Sequence, residues 1–222
     1  MKLTKTKLKQ IIKESLEDEY KEKLLMLFKY NSHQQAIELS KQVDMEDFLV
    51  GANLSGVDLK GANLTGANLT GANLTGAILA GANLEGANLR GAILTDANLL
   101  GANLRNANLT GADLTYTNLE GSNLSGANLT GANLTGAILA GANLEGANLR
   151  GANLSKVYLY NTNLTDADLK GADLQGVWLP ASADLSGANL SGAYLEDADL
   201  SDADLSNIKH DKDTVWPEGF TP

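Results

Sequence analysis

A leucine stands at every fifth position from Leu54 to Leu179 without a break, and after one extra residue near Pro180 to Ser182 the spacing resumes at Leu185 and runs to Leu205. All thirty-one repeat centres are Leu. Two residues before each centre comes a small side chain, nearly always Ala, with Val57, Val157, Val177, Thr117, Thr162 and Ser122 as the exceptions. The residue just before the centre is usually Asn or Asp, and two after it stands Gly or, less often, Asn or Asp. The unit reads Ala-Asn-Leu-x-Gly.

Such a period excludes an amphipathic helix. Five steps of about 100° advance each Leu by roughly 140°, which scatters the leucines around the cylinder. Gly and Asn at this density also oppose helix formation. In an extended segment Ala and Leu, two apart, point to one side and the intervening Asn to the other. The remaining two residues must turn the chain, and Gly, or Asp96, Asn106, Asn161 and Asp166 in its place, accepts the positive φ of such a turn. A short strand and a corner, repeated in one sense, wind into an all-β solenoid with Leu and Ala inside.

The period alone leaves the number of sides open. Residues 61–90 recur at 121–150 with only Ala62 changed to Ser122 and Thr65 to Ser125, an offset that suits square coils of 20 residues or triangular coils of 15. Side-chain columns favour the square, because at 20-residue spacing Ile138, Tyr158 and Trp178 stack and Glu85 meets Arg105.

The run resembles the pentapeptide-repeat family over about 157 of the 222 residues. That resemblance implies a right-handed quadrilateral β-helix with four repeats per coil, the centre and the small residue inward. About eight coils at ~4.8 Å spacing would make a rod nearly 40 Å long. It implies little about function, since the family spans quinolone-resistance proteins that bind DNA gyrase and many bacterial and cyanobacterial members without a known role.

Outside the repeats the pattern changes. Leu3, Leu8, Ile11, Ile12, Leu16, Tyr20, Leu24, Leu27 and Phe28 return at three- and four-residue steps, the mark of an amphipathic helix. Ser32 with Gln35 offers a second helix start, and Phe48 or Leu49 is the first inward residue. The expected organisation is an α-helical N-terminal segment over 1–47, acting as a cap or a docking module, the β-helix over 48–207, and a C-terminal capping tail over 208–222. In that tail Trp216 and Phe220 can lie on the last Leu layer.

The net charge of -10 is concentrated. Residues 1–50 balance nine Lys against nine acids, and Gly51 to Tyr160 sets five basic residues against six acidic ones. Between Asn161 and Asn207, nine acids face Lys170 alone. No basic face forms, so direct nucleic-acid binding is not expected. Without Cys, or an apolar run that reads as a signal peptide or membrane span, the expectation is a cytoplasmic protein with no membrane contact.

Chemistry finds no footing. His33 and His210 lie far apart and lack partners at ligand spacing, and the glycines match neither a P-loop nor a dinucleotide fingerprint. No catalytic residue, cofactor or metal site is expected. The informative positions are outward departures from the polar repeat. Ile78, Ile138, Tyr158 and Trp178 share one face of a square winding with Tyr160 beside them, a candidate protein-contact strip. Glu196, Asp197, Asp199, Asp202 and Asp204 form a candidate acidic end. The leading expectation is a non-enzymatic structural or protein–protein interaction protein whose partner is unknown, with a homodimer through one end of the rod as a further contact. The alternative is a DNA-mimicking inhibitor of DNA gyrase or another DNA-binding protein.

Overall fold

The structure is a computed structural model that describes Met26 and residues 49–180, 182–201 and 203–222. The helical segment expected over 1–47 lies outside the described residues except for Met26, which is helical and half exposed.

Each repeat contributes one parallel bridge. Asn53 pairs with Asn73, Asn73 with Ile93, and Asp58 with Ile78, an offset of twenty residues that makes four repeats per coil. The winding is therefore square. The first face carries Asn53, Asn73 and Ile93 up to Val215, and the second runs from Asp58 to Asp199. The third runs from Asn63 to Asp204, and the fourth from Asn68 to Lys209.

A typical unit is joined to the coil that follows by three backbone hydrogen bonds, two in the strand and one from the corner residue, as in Gly56 N to Thr75 O (2.8 Å). Leu54 N donates to Asn73 O (2.7 Å) and Asn73 N donates to Ala52 O (2.9 Å). The corner is local, since Ala62 N donates to Leu59 O (3.0 Å) across a turn whose third residue, Gly61, has φ 64°. That third-position left-handed residue is the requirement of a type II turn. Asp96, Asn106, Asn161 and Asp166 take the same conformation, and so do Tyr116 (φ 56°) and Lys156 (φ 60°). Neither Tyr nor Lys has an Asn-like side chain to ease it, so each costs about 1–2 kcal/mol that the neighbouring coils must offset.

The Asn before each centre has a structural task. Asn63 Oδ1 accepts both Thr65 N (3.2 Å) and Thr65 Oγ1 (2.7 Å), and the same arrangement recurs at Asn73 and Asn108. This Asx-type bond pins the corner. Only an acceptor oxygen is needed, so Asp58, Asp168 and Asp204 serve equally through the amides of Lys60, Lys170 and Ser206.

The interior is one continuous column of Leu and Ala that begins at Leu49, the first inward residue described. Polar residues at the small position are satisfied. Thr117 Oγ1 donates to Leu94 O (2.9 Å), Ser122 Oγ to Leu119 O (2.6 Å) and Thr162 Oγ1 to Leu139 O (2.9 Å). The extra residue near Pro180 widens one corner. Pairing goes from twenty to twenty-one residues at Asn163 with Asp184, and Ser182 Oγ accepts from Asn161 N (3.0 Å).

Parallel pairing continues beyond the last Leu centre, with Lys209 bridging to Asn189 and Val215 to Tyr194. Ile208 and Thr214 take the inward small position, and Trp216 and Phe220 pack against the core with ring centroids 5.3 Å apart. His210 stands edge-on to Trp216 at 5.6 Å.

Candidate protein-contact face

The second face gathers the large outward side chains because one column of repeats supplies them. Ile138 bridges to Tyr158 and Tyr158 to Trp178, so the three are stacked in successive coils. They are 40%, 45% and 48% exposed, and the tilted rings of Tyr158 and Trp178 stand 6.1 Å apart. Ile78 belongs to the same face, but Asn98 and Asn118 separate it from Ile138. Tyr160 occupies the corner that follows this face and Tyr116 a corner that leads into it, both exposed. Ile93 and Tyr194, also exposed, sit on the first face, away from the strip.

Leu100 is a further exposed apolar side chain beside the second face, apart from the strip. It is 44% exposed in the corner column of Tyr160, three coils below it by register, with Glu120 and Ala140 between them. Leu100 occupies the variable position after a centre, which the five-residue unit places in the corner. Its position one past Leu99 was the only signal.

Charge is arranged differently. Arg105 Nη1 lies 3.8 Å from Glu85 Oε1, the column pairing expected from the sequence, and Arg150 Nε lies 2.6 Å from Asp168 Oδ2. The acidic end is spread around the rod. Asp199 is on the second face and Asp204 on the third, while Glu196 and Asp197 hold the corner between the first and second. Asp202 lies outside the described residues. The Ser201 hydroxyl and then its amide hold the Asp199 carboxyl below the usual carboxylate range. Gln175 Nε2 donates to Glu196 Oε2 (3.1 Å).

Among the described residues no group of His, Asp and Glu is placed to hold a metal ion. An open, polar depression is lined by Arg105, Asn106, Asn123, Ser125, Glu145 and Asp166 along the corner after the third face. It is a gap between the side chains of Asn106 and Asp166, which lean across Gly126 and Gly187, and it encloses nothing. No helix among the described residues is long and apolar enough to cross a membrane.

The pentapeptide repeats family matches the chain in eight copies over residues 52–91, 79–111, 107–146, 127–166, 137–176 and 181–209. No curated protein matches it. Among solved structures the chain is similar to HetL, a pentapeptide repeat protein involved in heterocyst differentiation regulation from the cyanobacterium Nostoc sp. strain PCC 7120. The two share 33% identity over 79% of this chain and 93% of that one, with a TM-score of 0.34. It is also similar to a trypsin-treated variant of QnrB1, a plasmid-mediated fluoroquinolone resistance protein, at 22% identity over 74% and 86% with a TM-score of 0.50. A third is a pentapeptide repeat protein from the Arabidopsis thaliana thylakoid lumen, at 34% identity over 50% and 71% with a TM-score of 0.25. With the repeat signature covering well over half its length, this chain belongs to the pentapeptide-repeat family.

Proposed function

We propose that the chain is a non-enzymatic interaction protein, a rigid β-helical rod that docks a protein partner on its second face. The observation that carries this reading is the stack of Ile138, Tyr158 and Trp178 in consecutive coils, each about half exposed on a surface that is mostly polar. Large apolar groups left in water cost hydration free energy, and a partner that covers them recovers it. Tyr and Trp are also the side chains that most often dominate binding at interfaces. The polar surface around them forms the matching rim.

Affinity capture with the full chain and with the Tyr158→Ser/Trp178→Ser double variant tests the reading. Partners lost by the double variant and kept by Ile93→Ser, on the first face, support it. An identical captured set for all three proteins removes it.

The second reading, a DNA-mimicking inhibitor of gyrase or another DNA-binding protein, draws on the nine acids between Asn161 and Asn207. It is weaker because a duplex mimic needs negative charge along its length, whereas Gly51 to Tyr160 sets five basic residues against six acids. A gyrase supercoiling assay that shows no inhibition with the chain in large excess ends it.

A further inference from the structure

The surroundings of the strip become acidic at its Trp178 end. Asp199 stands one coil above Trp178 on the same face, and Glu196 and Asp197 hold the corner that leads into it. Asp173 sits on the first face, one repeat before Trp178. By register the nearest base among the described residues is Lys156, one coil lower beside Tyr158. Exposed rings next to carboxylates suit a segment that offers apolar side chains with ammonium groups among them. Backbone pairing adds nothing on this face, because its amides and carbonyls are already shared between coils, as in Tyr158 N to Ala137 O (3.1 Å) and Leu139 N to Tyr158 O (2.9 Å).

The chain itself contains such a segment. Lys2, Lys5, Lys7, Lys9 and Lys13 all precede the first acid, Glu14, and Leu8, Ile11 and Ile12 lie among them at the spacing of an amphipathic helix. No other stretch of thirteen residues has five bases and no acid. Its charge is opposite to that of residues 161–207, where nine acids face one base. The connection is long enough. Thirty-five residues separate Lys13 from Leu49, where the described rod begins, and even as a continuous helix they would span roughly 50 Å. Trp178 is six coils above Asp58 by register, or about 30 Å up the rod. Leu49 belongs to the fourth face, opposite the second, and the surplus length takes the chain round the rod. A tether also sets an effective concentration near ~1 mM, so a contact too weak to join separate molecules suffices.

Resting on the interaction reading above, we propose that residues 1–13 of the same chain dock on the Trp178 end of the second face. Leu8, Ile11 and Ile12 cover Tyr158 and Trp178, and the lysines meet Glu196, Asp197 and Asp199. The segment competes with a protein partner for this surface, so the rod carries its own cover.

Acrylamide quenching of Trp178 fluorescence in the full chain tests this. The chain has two tryptophans, so Trp216→Phe leaves Trp178 as the only reporter. In that background, changing Lys2, Lys5, Lys7 and Lys9 to Glu should raise the quenching constant about twofold by releasing the tethered contact. Sodium chloride at about 0.5 M should raise it as well, whereas Lys60→Glu should not. Adding Glu196→Lys and Asp197→Lys to the fourfold variant should restore the shielding, which a damaged fold would not do. Equal quenching before and after the four lysine changes overturns the proposal. So does shielding that fades on dilution, since a second copy then supplies the cover. If either happens while affinity capture still depends on Tyr158 and Trp178, the interaction reading stands without the cover. If capture ignores both residues while the shielding behaves as expected, the face serves only the chain's own segment and the interaction reading falls.

Discussion

The ring of Tyr116 lies across Gly136 of the next coil, so close that a β-carbon built there would stand 2.6 Å from both Cδ1 and Cε1 of the tyrosine. Both residues are in the left-handed region, at φ 56° and 68°. A bulky corner residue is thus accommodated because its upper neighbour has no side chain. Gly131 has the same backbone conformation, φ 64°, and open space around it. Gly131→Ala should therefore cost only the conformational penalty, about 1–2 kcal/mol. Gly136→Ala should cost more, and combining it with Tyr116→Ala should remove the excess. Chemical denaturation of the four proteins measures this, and equal losses for the two glycine variants would show that the ring does not rest there.

Leu124 is fully buried between coils above and below it. Its removal leaves a cavity that identical neighbours cannot fill, since Leu104 and Leu144 are held by their own coils. Leu124→Ala should lower stability by about 2–5 kcal/mol. Leu205, only partly buried in the last Leu layer, should lose less when changed to Ala. Comparing unfolding midpoints of the two variants checks the ordering.

Thr117 tests how much a buried hydroxyl contributes. Its Oγ1 donates to Leu94 O at 2.9 Å, but that carbonyl also accepts Ala97 N at 2.9 Å and is not orphaned when the hydroxyl goes. Val57, Val157 and Val177 occupy the same inward column. Thr117→Val should change stability by no more than about 1 kcal/mol in either direction. A larger loss on calorimetric unfolding would assign the hydroxyl a role that its geometry does not suggest.

Acid should weaken the rod through the carboxylates that stand in for Asn. The Ser186 hydroxyl and then its amide hold the Asp184 carboxyl below its ordinary value. At Asp113 burial pushes upward, and the hydroxyl and amide of Thr115 with the Thr95 hydroxyl outweigh it, for a net lowering. A carboxyl lowered by folding contributes stability that is present above its unfolded-chain pKa, about 4, and is lost as pH falls through the folded value. Urea midpoints should accordingly decline below pH about 4. Asp113→Asn keeps the acceptor oxygen, so its neutral-pH midpoint should stay close to the wild type while its acid decline becomes shallower. An acid decline as steep as the wild type's would exclude Asp113 from the effect.

Much of the winding was legible before any coordinate. Gly, Asn and Asp at the fifth position pointed to left-handed corners, and all three are found there. The pairing of Glu85 with Arg105 and the column Ile138, Tyr158, Trp178 chose four sides over three, and the bridges have that spacing. Other features were not legible. The Asn before each centre looked merely outward-facing, yet its Oδ1 closes the turn, because that bond depends on side-chain direction and not on polarity. Leu100 was not singled out, although its register, one past the centre Leu99, puts it in an exposed corner. The acids near the C-terminal end, contiguous along the chain, are distributed around the rod's faces and corners.

The amino-acid sequence by itself determined the strand-and-corner unit and which residues fill the interior, because each corner is closed by a bond between residues three apart and each Leu and Ala is placed by its own five-residue unit. Only the tertiary structure decided which outward residues stand together and how their rings are inclined. Neighbours up the rod are twenty residues apart, or twenty-one where the pair spans the extra residue near Pro180, and the angle between Tyr158 and Trp178 is set by side-chain packing across that distance.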